Sequence, residues 1–442
     1  MFTIRLYQLS PGQFLVLGYI TVITIGTFLL MLPVSTVAGR TTTLIDGLFT
    51  ATSATAVTGL TVLNTAEHWT RFGQTVILIL IQIGGFGFMT TTTILFFIFG
   101  RRFSLRQRLI IMEDLNYNKL SGAIGLTRYI ILLTFTTEVI GGALLFLYFQ
   151  KIMPPVQAIY FSVFHAISAF NNAGFDLFGT SMEQFVASPY LNLVISALFI
   201  FGGLGFIVIE EIFYKLRFKQ LSLHSKLVLT ITLILVVFST LIIFILEYNN
   251  PATLGNLSLS NKFLASFFQA VTPRTAGFNT IRIGELKDAT LFFMIILMFI
   301  GASPGSTGGG VKTSTIGTLM VVVYNMAAKK EDIEIFKRRL KQKDIYKALT
   351  VVVISLFIIT LVLIVLSLSE QLAFIKIVFE VFSAFGTVGL STGITEHLST
   401  IGRIFIILTM FIGRVGPFTI ALALGRRFNN SIRYPKEDIL IG

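Results

Sequence analysis

Four glycines in this 442-residue chain each close a short apolar segment, and each is followed by Leu or Phe. They end the runs Val57-Thr58-Gly59, Asn172-Ala173-Gly174, Thr275-Ala276-Gly277 and Thr387-Val388-Gly389. The glycines lie about 100 to 115 residues apart, the mark of an internal repeat. Glycine enters positive φ without a steric penalty, so it suits a place where consecutive backbone carbonyls must turn toward one axis. Four such turns around a common axis would form a ring of oxygens able to replace the water around a dehydrated cation. Any one of these short runs is an ordinary turn signal. The set is not, because in repeats one, two and four an alanine (Ala54, Ala169, Ala384) precedes the glycine by five residues, each time in a Ser-Ala pair. Repeat three departs, with Gln269-Ala270 and then Thr272-Pro273-Arg274 before its glycine.

The elements that must hold these runs are membrane elements. The chain is 54% apolar and 12% charged, with apolar runs long enough to cross a bilayer, and it has no room for a large water-soluble domain. Cysteine is absent, which excludes disulfides, thiolate metal sites and a cysteine nucleophile. The formal charge of +13 sits in short loops between apolar spans, where lipid headgroups and topology account for it better than nucleic acid does. Residues 1–13 lead into a first span rather than a removed signal peptide. Repeat one reads as a span over 14–33, a short helix over 46–55 and a second span over 74–99. The plan recurs over 129–148, 155–174 and 191–214, and again over 348–368, 371–389 and 401–424. Repeat three has spans over 226–248 and 290–324 around a short segment at 262–277.

Charge decides whether the short middle segments cross. Residues 1–12, 100–128, 215–226, 325–347 and 426–442 hold 23 of the 34 Lys and Arg residues. Three full crossings per repeat would place successive basic loops on alternate faces, against the positive-inside rule. Two crossings and one re-entrant segment place all of them on the cytoplasmic face. The expectation is therefore an all-α polytopic protein of four M1-P-M2 repeats: eight transmembrane helices and four re-entrant pore helices around one central pore, with both termini cytoplasmic. Repeat boundaries fall at 12–100, 126–216, 224–328 and 345–427, with a cytoplasmic tail over 428–442. Trp69, Tyr160 and Tyr190 are expected at the outer interface. Re-entrant backbone is tolerated only where protein or water covers it, so the four segments must share a cavity. Their helix C-termini would direct partial negative charge into it.

Two further features stand out. The stretch 290–324 would span roughly 52 Å as one helix at about 1.5 Å per residue, more than the bilayer core of about 30 Å. Gly301, Pro304, Gly305, Gly308, Gly309 and Gly310, ahead of Lys312, should break it into two half-helices and an intramembrane loop. A phosphate-binding reading fails, since Val311 intervenes before the lysine and no strand precedes. Arg414, in the last span, is either half of a structural ion pair with Glu380 or a pore-facing positive charge. In the second case it would repel a monovalent cation by about 2 kcal/mol at roughly 8 Å and a dielectric near 20. Glu138 reads as a packing or interfacial partner rather than a proton relay, and Asp176 as an outer-mouth charge or a loop cap. His68, His165, His224 and His397 show neither metal-ligand nor triad spacing, so no catalytic residues and no enzyme are expected.

The four M1-P-M2 units, each closing on a single glycine, resemble the Ktr/Trk/HKT superfamily of cation transporters over nearly the whole chain. With no helix pair before the first repeat, they look most like the membrane (KtrB-type) subunit of bacterial Ktr systems. The resemblance implies potassium uptake across the plasma membrane, with potassium at the carbonyls of the four glycine runs. It also implies that the 301–312 loop and Arg414 act as a gate. In that superfamily a serine at the first glycine accompanies sodium permeation in some plant members, and Gly59 carries no such change. The resemblance further implies a homodimer on a cytoplasmic ring of nucleotide-binding, KtrA-type regulatory subunits, so that nucleotide acts only through the partner. The chain itself has no cofactor fingerprint. Sodium dependence, a sodium-conducting relative of the same fold and, from another class, an organic-solute transporter remain the alternatives. The last usually has inverted repeats, whereas these are parallel.

Overall fold

The computed structural model describes residues 11–87, 90, 123–417, 419, 420, 437 and 439. Expectations for residues 1–10, 88, 89, 91–122, 418, 421–436, 438 and 440–442 fall outside the described residues.

Helices dominate, and they follow the repeat plan. The four first spans are α1 (Pro11–Leu30), α5 (Ala123–Phe149), α9 (Leu223–Glu247) and α13 (Gln342–Ser369). Each holds a stretch long and apolar enough to cross a bilayer. The four short middle helices are α2 (Leu44–Thr55), α6 (Pro155–Phe170), α10 (Leu259–Val271) and α14 (Phe374–Gly386). Their starts are written locally. Thr43 and Asp46 form a reciprocal capping box on α2, Pro155 opens α6, and the Ser258 hydroxyl caps α10.

Second spans begin with α4 (Arg71–Phe86), which follows a short turn of helix, α3 (Thr65–His68). Repeat two continues into α7 (Pro189–Leu204) and α8 (Phe206–Tyr214), repeat three into α11 (Asp288–Phe299) and α12 (Thr313–Ala327), and repeat four into α15 (Thr400–Val415). Thr70, Ser188 and Ser399 cap α4, α7 and α15 through their hydroxyls. A two-residue hairpin, β1 (Glu334–Ile335) with β2 (Arg338–Arg339), lies between α12 and α13.

The break in repeat three was expected, but the second span of repeat two was expected to run unbroken over 191–214. Instead α7 and α8 meet at 98°. The hinge is Gly205, at φ 94°, ψ 128°, a conformation open only to glycine without strain. Gly87 after α4 (φ 77°) and Gly416 after α15 (φ 91°) have closely similar backbone angles and also end their helices. Each hinge follows another glycine by three residues: Gly84, Gly202 and Gly413. A Cβ at any of these would strike the carbonyl at the end of its own repeat's pore helix, at Thr55, Phe170 and Phe385 respectively. One glycine thus admits close approach and the next ends the helix.

Inside a bilayer, lipid is as apolar as leucine, so helix association depends on close packing rather than on escape from water. The cores are shared between neighbouring repeats. Ala51 and Ala54 pack in one cluster with Phe164 and Phe175. Phe170 and Phe199 join Phe268 and Val271, while Met294 and Met298 join Phe379 and Val388. Phe385 and Ile406 close the circuit onto Phe49 and Leu60 of repeat one. Arg403 adds an ion pair with Asp46 at 2.6 Å across the same seam. Trp69, expected at the outer interface, is buried at 1% exposure, whereas Tyr190 is exposed.

Gly205→Ala is expected to lower stability by about 1–3 kcal/mol through backbone strain. Its added Cβ would also lie 2.7 Å from the Pro304 carbonyl oxygen. Thermal denaturation of the detergent-purified protein measures this, and a wild-type melting temperature would contradict the hinge.

Candidate ion pathway

At the end of each pore helix the chain turns into a short strand with alternating handedness. Val57, Asn172, Thr275 and Thr387 all have positive φ, between 50° and 69°, although none is glycine. Two residues later Gly59, Gly174, Gly277 and Gly389 have φ between 68° and 95°. Strain of this kind persists only where the surroundings fix it. Here the fixing begins with the backbone. The N–H groups of Thr58, Ala173 and Val388 each donate to the serine carbonyl five residues back, at 2.8 Å, and Ala276 donates to Thr272 at 2.9 Å.

The four glycines form a closed ring. A Cβ on Gly59 would strike the Ala173 carbonyl oxygen; one on Gly174 would lie 2.8 Å from Gly277 Cα and 3.1 Å from Ala276 O. One on Gly277 would lie 2.6 Å from Val388 O, and one on Gly389 would strike Thr58 O. The carbonyl preceding each glycine thus lies against the glycine of the preceding repeat, in the order one, two, three, four and back to one. Eight of the twelve residues named from the sequence, the four glycines and the residue before each, meet in these contacts, and Val57, Asn172, Thr275 and Thr387 directly precede them. With no side chain between the strands, the groups available to a desolvated cation are backbone oxygens. The four helix C-termini add partial negative charge.

Beneath this ring lies the glycine-rich loop. Its ends are zipped by Gly301 N–H donating to Val311 O at 2.8 Å and Thr313 N–H donating to Ala302 O at 3.2 Å. Its middle docks on the hinge of repeat two: Ser303 N–H to Gly203 O at 3.0 Å, Phe206 N–H to Gly305 O at 2.7 Å, and Thr307 N–H to Gly202 O at 3.2 Å. The upper side touches the strands. Gly309 N–H donates to Thr387 Oγ1 at 3.1 Å, and a Cβ on Gly308 would strike Thr275 Oγ1. Gly310 packs against Gly386, and Lys312 Nζ donates to Gly308 O at 2.6 Å. These glycines leave no space for side chains under strands three and four. Below the loop opens a cavity of about 810 Å³ among the described residues, lined by Pro304, Gly305, Lys312 and Arg414 among others.

Arg414 does not meet Glu380, the pairing considered from sequence. Its guanidinium donates to the carbonyl oxygens of Thr307 in the loop and Gly84 in α4. Glu380 accepts instead from Ser391, at 2.8 Å, and Thr395, hydroxyls of the stretch after strand four. Backbone carbonyls carry no sequence signature, so this clamp was not legible beforehand. Asp176 is a loop cap, accepting from Phe178 and Gly179 N–H at 2.8 and 2.7 Å. Glu138 accepts from Asn171 at 3.0 Å as a packing partner. His165 is buried among phenylalanines, and no cluster of metal-ligating side chains occurs among the described residues.

Comparison with known proteins agrees with this architecture. Residues 11–428 match the family model TrkH, described as a cation transport protein. The chain belongs to that family of cation transport proteins. It is 45% identical to the Ktr system potassium uptake protein B of Bacillus subtilis, covering 99% of this chain and 98% of that one. It is 41% identical to the potassium/sodium uptake protein NtpJ of Enterococcus hirae, over 98% of each. The crystal structure of the potassium transporter TrkH from Vibrio parahaemolyticus shares its fold, with a TM-score of 0.72 at 17% identity over 93% of this chain and 83% of that one. The all-α polytopic fold and the Ktr/Trk kinship expected from the sequence are both met.

Arg414 as a clamp and Arg414 as a charge barrier differ in one measurable respect. Each charge-assisted hydrogen bond to a carbonyl contributes about 1.5–3 kcal/mol. A lysine keeps the charge but lacks the planar fork that bridges two carbonyls. If the clamp restrains the loop, Arg414→Ala and Arg414→Lys should both raise cation flux in liposomes about tenfold, and Glu380→Gln should change neither variant. Wild-type flux in Arg414→Lys would leave charge alone as the restraint.

Proposed function

We propose that this protein takes up potassium across the plasma membrane through the ring at Gly59, Gly174, Gly277 and Gly389, with the 301–312 loop as a gate beneath it. The closed ring of four carbonyls, each preceding a glycine, carries this reading. Such a ring can replace the hydration shell of a large monovalent ion, and the pore-helix C-termini favour a cation over an anion. The gate reading is supported by the loop's position between strands three and four and the cavity below. Lys312 and Arg414, both holding loop carbonyls, make its movement a matter of breaking a few hydrogen bonds.

The names of the Bacillus and Enterococcus relatives support potassium as cargo, and the latter name adds sodium as a coupled or permeant ion. The relatives named as Ktr system proteins support assembly with other components. A homodimer on a cytoplasmic ring of nucleotide-binding subunits fits that naming, with nucleotide acting through the partner. Both termini would lie on the cytoplasmic side, as the distribution of basic loops requires.

Gly59→Ser is the test. A Cβ there strikes Ala173 O, so the ring must widen and its field must weaken. The potassium-to-sodium flux ratio of liposomes holding the full-length variant should fall about tenfold while transport persists. A wild-type ratio would refute the filter reading. Potassium flux measured with and without sodium, in the wild-type protein, decides whether sodium is required.

A further inference from the structure

The Ser-Ala pairs that mark repeats one, two and four in the sequence are not accounted for by a ring of backbone carbonyls. Their serines, Ser53, Ser168 and Ser383, lie six residues before the ring glycines. A hydroxyl within a helix ordinarily bonds the carbonyl four residues back. Thr50, Ser162 and Ser266, in the pore helices of repeats one, two and three, do so, to Asp46 O, Ala158 O and Lys262 O.

Ser53 and Ser168 reach forward instead, past the helix end to the strand. Ser53 Oγ accepts from the N–H of Gly59 itself, at 3.1 Å. Ser168 Oγ donates to Phe175 O, the carbonyl just after Gly174, at 2.7 Å. Repeat three lacks the pair, having Gln269-Ala270 in its place, yet Thr272 Oγ1 donates to Phe278 O, just after Gly277, at 2.6 Å. The hydroxyl has moved nearer the glycine and makes the same bond. All three side chains are buried, so no bulk water competes for these bonds.

The fourth quarter differs. Ser383 Oγ is buried and has no hydrogen-bond partner among the described residues. Strand four keeps the backbone bond from Val388 N–H to Ser383 O, but its hydroxyl contact at this level comes from below, where Gly309 N–H donates to Thr387 Oγ1.

We propose that Ser53, Ser168 and Thr272 are positioning residues for ion selection, each pinning its strand at the ring glycine, and that the fourth strand is the compliant one. The proposal rests on the filter reading above. A hydroxyl that draws the Phe175 or Phe278 carbonyl back toward its pore helix removes that oxygen from the axis. The carbonyl before the glycine is then left as the ligand at that level. A pinned glycine also keeps the ring from shrinking around a smaller ion, which would otherwise recover its lost hydration by drawing the strands inward. In the fourth quarter a side chain of the strand itself bonds the loop, so loop position and ring geometry are linked there by a hydrogen bond.

The test is the potassium-to-sodium flux ratio of the full-length protein in liposomes. Ser53→Ala, Ser168→Ala and Thr272→Val should each lower the ratio roughly three- to tenfold, the factor one ordinary hydrogen bond carries. Ser383→Ala should leave it unchanged, and Ser53→Thr, Ser168→Thr and Thr272→Ser, which keep the oxygen, should stay near wild type. Thermal unfolding, followed in parallel, should not track the ratio. Unaltered ratios in the first set, an equal fall in Ser383→Ala, or an equal fall in the oxygen-keeping set would each overturn the proposal. Gly59→Ser separates the two levels. If it lowers the ratio while the hydroxyl variants do not, only the positioning role fails; if it too leaves the ratio unchanged, the filter reading fails with it.

Discussion

Four backbones meeting at one axis with no side chain between them is the constraint from which most of this structure follows. Each ring glycine lies so close to the neighbouring repeat's carbonyl that a single methyl group could not be placed there. To bring the strands together, the pore helices must end close to the axis, and alanine at Ala54, Ala169 and Ala384 keeps those ends narrow. The second spans must then pass directly over the helix ends, which is why Gly84, Gly202 and Gly413 have no side chain. Beyond that passage a glycine three residues later ends each of these helices, and at Gly205 the chain turns by 98°. Close packing at the centre thus dictates composition some 24 to 31 residues away along the chain.

Such a centre leaves many backbone groups inside the membrane and away from helices, where each unsatisfied one costs several kcal/mol. The intramembrane loop shows how they are satisfied. Its N–H and C=O groups bond to each other, to the hinge of repeat two and to the hydroxyl of Thr387. Lys312 and Arg414 supply charged donors to the remaining carbonyls. A loop held in this way is ordered, but none of its bonds is beyond reach of a modest rearrangement. Both basic residues are thereby structural in the position described here, whatever their charge does to a passing ion.

Most of the plan could be read from the sequence because it rests on residues with few alternative uses. The glycine spacing, the basic loops and the Pro304 stretch gave four quarters and the odd third repeat. The hinge at Gly205 was missed because a long apolar run reads as one helix. The recurring pair of glycines three apart, at 84 and 87, 202 and 205, 413 and 416, was the available signal. The partners of Arg414 could not have been found by matching charges, since both are main-chain oxygens. Trp69 was assigned to the interface on its chemistry alone, yet it is buried where Thr36 pairs with it across an isolated bridge and Gly73 packs on its side chain.

The circuit of shared cores has a bearing on how the protein can vary. In a pore made of four identical chains, one codon change alters every quarter at once, and any departure from fourfold symmetry is forbidden. Here a change of one codon touches one quarter. Among the described residues, the span broken at a proline, the arginine fork and a Ser-Ala serine without a hydrogen-bond partner each occur once, in a frame that otherwise repeats. Because every quarter shares its interior with both neighbours, none can be lost or exchanged without exposing two of them. The molecule is thus free to differentiate its quarters and unable to shed one.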